Sequence, residues 1–390
     1  MRVYNERLIL SLVRRFGQLS KIEVARMTGL SVQSTSTIMN RLQTEGLLRR
    51  EAPLRGRVGQ PTVPVSLDPE GAFSIGLKIG RRSCDLVLID FCGHIRRRAQ
   101  RLYLYPTPAL VTDFVAEELE PMIRSLTPAQ RRRIAGLGVA APFQLWSWSS
   151  EIDAPKQEMD AWRTFSIVDE LAKLSQFPVT LCNDATSACA AELFFGESWR
   201  RRDFLYFFVG TFIGGGLVID GALFPGRTGN AAAVGSMPIA TTDRNGDATS
   251  QLIDHASIYQ LERRIAAAGR DPSSIWRTPE KWDDFGPLLE EWIDRAAFAL
   301  AYATVTAISV IDVQAVIIDG VMPKAVRERL TLKVAQKVES FDRRGLSDVT
   351  IAEGAIGADA RAIGGAALPL IKTFARDREV LFKDALTESA

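Results

Sequence analysis

Cysteine and histidine are scarce in this sequence, with four and two residues among 390. The cysteines form no CxxC pair, and so few thiols and imidazoles argue against a zinc site. We therefore expect the thiols to be reduced and buried, as is usual in a cytoplasmic protein. The four are Cys84, Cys92, Cys182 and Cys189.

Long hydrophobic runs are also missing. The longest uncharged stretch, Ala296–Ile311, contains several hydroxyl groups and is short for a bilayer span. Asn5, Glu6 and Arg7 interrupt the start of the chain, so no signal-peptide core is visible. We predict a buried helix at Ala296–Ile311 and a cytoplasmic protein.

The chain has little net charge, +2 overall, but the charge is unevenly distributed. Residues 1–61 carry eleven Lys and Arg against four Asp and Glu, a net of +7, whereas the remainder carries 37 against 42, a net of −5. A basic segment ahead of an acidic body suggests a module that binds a polyanion. A solvated basic surface is the alternative.

The basic segment carries helix signals in close succession. Apolar residues recur at helical spacing over Glu6–Phe16, and Ser20 with Glu23 forms a capping box that starts a second helix. Gly29 ends that helix, and Ser31 is suited to cap a third. In the third helix we predict that Val32, Thr35, Ile38, Met39 and Leu42 point inward, and that Gln33, Ser34, Thr37 and Arg41 point outward.

Two short strands and a basic loop follow, with Gly46 closing the third helix. Leu47–Glu51 and Val63–Leu67 are predicted strands, and the loop between them, Arg55 to Pro61, is rich in glycine and arginine. The order of these features predicts a winged helix-turn-helix over residues 1–68, here called the head. A small helical domain used for protein contacts is the alternative.

If the head binds DNA, side-chain chemistry assigns roles within it. Gln33 and Arg41 are candidates for base edges, because Gln can pair with adenine and Arg with guanine. Hydroxyl groups more often hold phosphates, which set the register of binding. The full candidate set is Ser31, Gln33, Ser34, Thr35, Thr37, Arg41, Arg55, Arg57 and Gln60.

Residues 69–390, here called the body, show the same order of elements twice. Strands at Phe73–Ile79, Cys84–Ile89 and Ile95–Leu104 precede a helix at Ala109–Ser125 and a strand at Ile134–Ala140. The second series has strands at Phe204–Val209 and Gly214–Ile219 with an Asp220-Gly221 turn, helices at Ser257–Ala268 and Leu288–Ser309, and a strand at Val313–Ile318. This repetition predicts a duplicated α/β fold with a cleft between two lobes.

Several motifs in this order resemble the ROK family (repressors, open reading frames and kinases). Leu181–Glu192 is similar to its NDAN segment, and Val209–Leu217 to its GTGIGGG phosphate loop; Gly136–Pro142, Trp162 and Ala355–Ala367 fit the same pattern. The resemblance covers nearly the whole chain and implies a two-lobed actin/hexokinase-like (RNase H-like) body. It places lobe one at about 72–190 with a C-terminal helix at about 360–390, and lobe two at about 191–359.

The resemblance also implies a sugar in the cleft. Asp184 matches the aspartate that acts as general base toward a sugar hydroxyl, and Asn183 matches its sugar-binding neighbour. A carboxylate can accept from a sugar hydroxyl in binding as well as in catalysis. Asn-Asp before an Ala-rich segment is also a good helix N-cap, which is the structural alternative.

Two phosphate loops depart from the family pattern. Where the kinases have DIGGTK, this chain has Lys78 to Ser83, with Lys78 at the magnesium-positioning aspartate and Arg81 at a glycine. Phosphoryl transfer depends on positioning and metal-assisted charge stabilisation, so this change argues against kinase activity. Arg81 and Arg82 could still attract an anionic effector. The second degenerate loop comprises Gly210, Thr211, Phe212, Gly214 and Gly215, with Phe212 at a glycine position.

The sugar-binding segment is altered as well. The family's GxxGxAGEIGH corresponds to Gly226–Ser236, in which Ala233 replaces the glutamate and Ser236 the histidine. The family's zinc cluster would fall in Thr241–Gln251, which has neither cysteine nor histidine. Asn230, Ser236 and His255 are candidates for substitute effector contacts, and solvent-facing loop residues are the alternative for each.

Together these features predict a DNA-binding repressor of carbohydrate uptake or catabolism genes, xylose metabolism among them. Its partners would be a double-stranded operator, a sugar or sugar-derivative effector, and further copies in a homodimer or homotetramer. No enzyme activity, cofactor or metal is expected. The alternatives are a regulator controlled without ligand or by a protein partner, with the body used for dimerisation, and an ATP-dependent sugar kinase.

Overall fold

A computed structural model of the chain describes residues 2–53, 63–148, 154–198, 201–240 and 250–375. By its internal contacts the chain separates into two compact units. The first unit comprises Met1–Leu181 and Gly365–Ala390, and the second comprises Cys182–Gly364.

The head lies in the first unit and has the order of a winged helix. Buried Ile9, Val13, Val24, Met39 and Leu42 form its core. Its strands pair antiparallel and are shorter than the sequence predicted, and the basic tip between them lies outside the described residues. The elements are α1 (Arg2–Phe16), α2 (Lys21–Thr28), α3 (Val32–Thr44), β1 (Leu48–Arg50) and β2 (Val65–Leu67).

Local capping sets the ends of these helices. The Ser20 backbone N–H donates to the Glu23 carboxylate at 2.8 Å, and the Ser20 hydroxyl accepts from the Glu23 backbone N–H, so the predicted capping box is confirmed. Gly29 ends α2 with φ of 71°, a left-handed conformation that favours glycine. The Ser31 hydroxyl caps α3 by accepting from the backbone N–H of Ser34.

The rest of the first unit is built on a five-stranded sheet of order β5-β4-β3-β6-β7. The first three strands in sequence pair antiparallel, and β6 joins β3 in parallel. The predicted strands Phe73–Ile79 and Ile134–Ala140 are confirmed to the residue. The elements are β3 (Phe73–Ile79), β4 (Ser83–Asp90), β5 (Ile95–Leu102), α4 (Pro108–Arg124), α5 (Pro128–Arg131), β6 (Ile134–Ala140), α6 (Lys156–Asp160), α7 (Ile167–Leu174) and β7 (Val179–Cys182).

The second unit repeats this plan with a sheet of order β10-β9-β8-β13-β14, antiparallel from β8 to β10 and parallel from β8 through β13 to β14. A duplicated α/β fold is therefore confirmed. The elements are α8 (Asp184–Phe195), β8 (Phe204–Val209), β9 (Ile213–Ile219), β10 (Ala222–Leu223), β11 (Pro238–Ile239), β12 (Ser250–Gln251), α9 (Ile253–Ala256), α10 (Ile258–Ala267), α11 (Ser274–Arg277), α12 (Pro287–Ile308), β13 (Ala315–Gly320), α13 (Lys324–Glu339), β14 (Thr350–Glu353) and α14 (Ala360–Phe374), whose last ten residues belong to the first unit.

Every residue of β8 is aliphatic or aromatic, and successive side chains point to opposite faces, so both faces of the second sheet are covered. Leu205 and Phe207 pack in the cluster that includes α10, α12 and α13, whereas Phe204, Tyr206 and Phe208 pack with α8. This places the start of α8 directly against the sheet. The predicted buried helix at Ala296–Ile311 corresponds to the C-terminal part of α12, which ends three residues earlier, at Ile308. Among the described residues, we find no helix with the length and hydropathy of a membrane span. All four cysteines are free; Cys84 and Cys189 are buried, and Cys92 and Cys182 are half-buried.

Candidate functional site

The first turn of α3 presents a continuous exposed surface. Ser31, Val32, Gln33 and Ser34 are all exposed, and Thr37 continues this surface one turn later. The Ser31 hydroxyl lies 2.9 Å from the Ser34 hydroxyl, and the Thr37 hydroxyl donates to the Gln33 carbonyl at 3.1 Å. The head therefore offers a helix whose N-terminal residues project outward, which is how a recognition helix meets base edges in a major groove.

Thr35 lies on the buried side of α3, as predicted, whereas Val32 does not. Thr35 is fully buried in the head, so its inclusion among the DNA-contacting candidates is wrong: its side chain packs with the core side of α3. Val32 was predicted to point inward, but it is 55% exposed because α3 begins there, ahead of the turn that packs on the rest of the head.

Arg41 is engaged within the head. Its Nε lies 2.7 Å from the Glu45 carboxylate and its Nη1 lies 3.4 Å from Glu6. The hydrogen bond with Glu45 raises the pKa of Arg41, which keeps the guanidinium charged. A contact between Arg41 and a base would have to replace these two carboxylate partners.

Asn40 is an exposed residue that the sequence analysis missed. Its side-chain oxygen accepts from the Lys21 ammonium at 2.8 Å, which places an amide and a cation together on the surface of α2 and α3. Asn40 lies seven residues after Gln33, about two turns along the same helix face. That spacing was the available signal. Arg55, Arg57 and Gln60 lie outside the described residues.

The head is held to the first sheet by two arginines. Arg14 of α1 donates to the Phe91 carbonyl at 2.8 Å and stacks 4.7 Å from the Phe91 ring centroid. Burial lowers the pKa of Arg14 to about 9. Arg133 donates to the carbonyls of Gly46 and Gly71 at 3.3 and 3.2 Å, beside the end of α3. These contacts connect α1 and the turn after α3 to the rest of the first unit.

The first phosphate loop is filled by its own lysine. The Lys78 ammonium donates to Asp85 at 2.8 Å and to Ser83 at 2.8 Å, across the β3–β4 hairpin. Because a Cβ added to Gly80 would lie 2.8 Å from that ammonium, Lys78 lies directly over the glycine. Arg81 and Arg82 lie in the turn beside it and are half-buried.

The second phosphate loop, Gly210–Phe212, connects β8 to β9 in the second unit. The Phe212 ring packs 5.7 Å from that of Tyr259, and the carbonyls of Gly210 and Thr211 accept from the first turn of α10. Gly214 and Gly215 lie on β9, where Gly214 faces Ala185 of α8. The loop is thus closed by a ring and by backbone hydrogen bonds.

Asn183 and Asp184 are both committed to contacts within the second unit. The Asn183 side chain accepts from the backbone N–H groups of Ala185 and Thr186 at 3.0 and 3.3 Å, so it is the N-cap of α8. Asp184 pairs with Arg361 at 3.1 Å, and that guanidinium stacks 5.0 Å from the Phe208 ring centroid. Arg361, 177 residues from Asp184, gave no signal in the sequence.

The three substitute candidates lie in the segments that follow β10 in the chain. Asn230 and Ser236 are exposed, and Ser236 ends a short 3-10 turn that begins at Val234. His255 is half-buried, and its Nε2 lies 2.6 Å from the Ser250 hydroxyl. Burial lowers the pKa of His255, with a smaller contribution from Arg295, so the imidazole is neutral at neutral pH.

Two buried carboxylates in the second unit were also missed. Asp319 accepts from the Tyr206 hydroxyl at 2.9 Å and from Arg327 at 3.1 Å, and Glu192 accepts from the Ser198 hydroxyl at 2.6 Å. Burial raises the pKa of both carboxyl groups. Asp319 lies on β13, an inner strand of the second sheet, and Glu192 lies in the last turn of α8.

These residues do not fit a nucleotide with magnesium. The ammonium of Lys78 lies where a phosphate would approach Gly80, the carboxylate of Asp184 is bound by Arg361, and Phe212 occupies the second loop. A cation in the first loop, an aspartate already paired with an arginine and a ring in the second loop are each unfavourable for the positioning that phosphoryl transfer requires. Among the residues that the structure describes, no cluster of three or more His, Cys, Asp or Glu could hold a metal ion.

Comparison with known proteins gives two family matches. Residues 74–372 match the model of the ROK family, and residues 4–57 match that of the MarR family. The chain is 24% identical over 371 residues to the uncharacterized protein y4fQ of Sinorhizobium fredii, covering 95% of this chain and 91% of that protein. It is 22% identical over 242 residues to the xylose repressor of Bacillus subtilis, covering 62% of this chain and 61% of the repressor.

A solved structure has the same fold. The crystal structure of a ROK family transcriptional regulator, a homologue of the E. coli MLC protein, superposes with a TM-score of 0.66 at 19% identity, covering 96% of both chains. At this identity the likeness establishes the fold. A winged helix-turn-helix followed by a kinase-like α/β body is therefore confirmed.

Proposed function

The chain belongs to the ROK family, and from that membership we propose that it is a DNA-binding transcription regulator with a sugar or sugar derivative as effector. The observation that carries the proposal is the exposed first turn of α3, capped at Ser31 and set in a basic head. A helix of this kind supplies hydrogen-bonding groups to base edges, and the basic residues around it attract phosphates.

Within the head, Gln33 would read a base, and Ser31, Ser34 and Thr37 would hold phosphates. Arg55, Arg57 and Gln60 of the wing would add backbone or minor-groove contacts. The head would span residues 1–68 and the body 69–390. The regulator would work in the cytoplasm as a homodimer or homotetramer on a two-fold operator.

The target genes would be those of carbohydrate uptake or catabolism, with repression as the sign of control. A protein named xylose repressor is among the relatives, so xylose genes are the first to test. The effector would bind near Asp184 and the segment around Asn230, Ser236 and His255. It would act by binding the DNA-free form more tightly than the DNA-bound form.

We propose that the body performs no phosphoryl transfer. The support is Lys78, a cation paired with Asp85 where the kinases have the magnesium-positioning aspartate, and the pairing of Asp184 with Arg361, which engages the carboxylate that would act as general base. Incubation of the full chain with ATP, magnesium and a panel of hexoses and pentoses should release no ADP above the background. Sugar-dependent ADP release would overturn this part of the proposal.

DNA binding is tested by selection from a random duplex library with the full chain, followed by mobility shifts at low ionic strength. Gln33→Ala should lower the affinity for the selected duplex about fivefold or more, because a good side-chain contact to a base is worth about 1–3 kcal/mol. It should also change the base preference. Gln18→Ala is the matched control, since Gln18 is an exposed glutamine of the head outside α3. Failure to enrich any sequence would refute DNA recognition.

Effector control is tested on the same duplex. Neutral sugars, sugar phosphates and polyols are titrated while duplex affinity and intrinsic tryptophan fluorescence are followed, with Asp184→Ala as the site variant. If no compound alters either signal, ligand control is wrong. A regulator controlled by a protein partner, with a body that serves for dimerisation, would then be the better account; the engagement of Asp184 by Arg361 favours it.

A further inference from the structure

Val32 is an exposed apolar residue at the N-terminal end of α3. It is the first residue of the helix, between the capping Ser31 and Gln33, and it is 55% exposed. Its neighbours Ser31, Gln33 and Ser34 are polar and also exposed. Hydration of an exposed isopropyl group is unfavourable, so covering it with an apolar partner lowers the free energy.

Two hydroxyls beside it hold the first turn of α3 in place. The Ser31 hydroxyl accepts from the backbone N–H of Ser34 at 3.1 Å and lies 2.9 Å from the Ser34 hydroxyl. These contacts fix the turn that carries Val32. A β-branched side chain is also stiff about χ1, so little conformational entropy is lost when it meets a partner.

A major groove offers one apolar group, the C5 methyl of thymine. The N-terminal residues of a recognition helix are those that reach the base edges. Resting on the proposed DNA binding of the head, we infer that Val32 is a specificity-determining residue that packs against a thymine methyl in the operator. Gln33, next to it, would hydrogen-bond to an adjacent base, so the first turn of α3 reads one apolar and one polar feature.

The experiment removes the methyl from the DNA. The probe is the duplex of highest affinity selected from a random library with the full chain. Each thymine of one half-site is replaced in turn by deoxyuridine, which keeps the base pair and lacks the methyl group. Affinities are measured for the wild-type chain, Val32→Ala and Val3→Ala. Val3 is a matched control because it is a valine of α1 that is 48% exposed and lies outside the helix-turn-helix pair.

At one thymine position, deoxyuridine should weaken wild-type binding about three- to fivefold, the effect of one buried methyl group. At the same position Val32→Ala should show less than a 1.5-fold response, because the side chain that covers the methyl is gone. Val3→Ala should respond as the wild type does. Circular dichroism should show α3 intact in Val32→Ala, since alanine favours a helix more than valine does.

The two proposals fail in different ways. If selection enriches a duplex but no deoxyuridine substitution changes wild-type affinity, the inference about Val32 is wrong and DNA recognition stands. The inference is also wrong if Val32→Ala responds to deoxyuridine as the wild type does. If selection enriches no sequence, both proposals fall.

Discussion

Substitution of Thr35 by valine separates the core face of α3 from its outer face. Thr35 is fully buried, and its hydroxyl has no hydrogen-bond partner among the residues that the structure describes. Valine has nearly the same shape and replaces the hydroxyl by a methyl group. Thr37 lies two residues further on, is exposed, and donates to the Gln33 carbonyl. Thr37→Val is thus the same chemical change on the opposite face.

The magnitude follows from desolvation. A buried hydroxyl without a partner costs about 1–3 kcal/mol, and replacing it by an apolar group of the same shape removes that cost. We expect Thr35→Val to stabilise the head by about 1–2 kcal/mol. Thr37→Val should leave head stability almost unchanged, since its hydroxyl is exposed to water, and should weaken duplex binding a few-fold through loss of a phosphate contact.

Hydrogen exchange followed by mass spectrometry measures this within the full chain. The peptide that covers α3 should exchange about 5- to 30-fold more slowly in Thr35→Val, the factor that corresponds to 1–2 kcal/mol. Mobility shifts on the selected duplex should give unchanged affinity for Thr35→Val. If this variant loses duplex affinity while the exchange of α3 is unchanged or slower, the Thr35 hydroxyl faces the DNA and the burial argument fails.

Three further expectations concern stability. Gly46→Ala should lower the free energy of unfolding in urea by about 1 kcal/mol more than Gly17→Ala does. Both glycines have left-handed φ (74° and 77°), but of the two only Gly46 has a neighbour, the Arg133 guanidinium at 2.8 Å from an added Cβ. Equal losses of stability would contradict the Arg133 contact. Asp85→Asn should lower the free energy of unfolding by about 3 kcal/mol, because it leaves the Lys78 ammonium without its carboxylate partner. Adding Lys78→Met to this variant should restore most of the lost stability. If the double variant shows no recovery, the ion pair is not the cause. Because burial raises the pKa of Glu192, its stabilisation of the fold is lost as pH rises through that pKa. Scanning calorimetry between pH 5 and 8 should therefore show that the Tm of the wild type, relative to that of Glu192→Gln, increases toward pH 5. A Tm difference that is constant with pH would refute this.

The same linkage has the opposite sign for Asp85. Burial disfavours its ionised form, but the charge of Lys78 and the hydrogen bonds from Lys78, Gln100 and Ser83 together outweigh that effect and lower the pKa of Asp85. The stabilisation is therefore present at neutral pH and is lost as pH falls through the lowered pKa. The two carboxylates differ because Asp85 faces a cation across a hairpin, whereas Glu192 accepts mainly from neutral donors.

Short-range signals in the sequence determined most of the secondary structure. The capping pair Ser20–Glu23, the turn at Gly29 and the cap at Ser31 each act within three or four residues, so one sequence suffices to read them. Apolar runs gave the bounds of β3, β6 and β8 to the residue. The repeated order of strands and helices then predicted the two halves of the body, and the replacements at Lys78 and Phe212 already argued against a nucleotide.

Only the tertiary structure decided where the buried side of an element begins and which distant partner each side chain meets. Thr35 and Val32 are three residues apart on α3, yet packing within the head buries the first and leaves the second exposed. Asp184 meets Arg361 across 177 residues, and Arg133 reaches Gly46 across 87. Such pairs form because packing of helices on a sheet brings remote segments within hydrogen-bond range, and no periodicity along the chain records that distance.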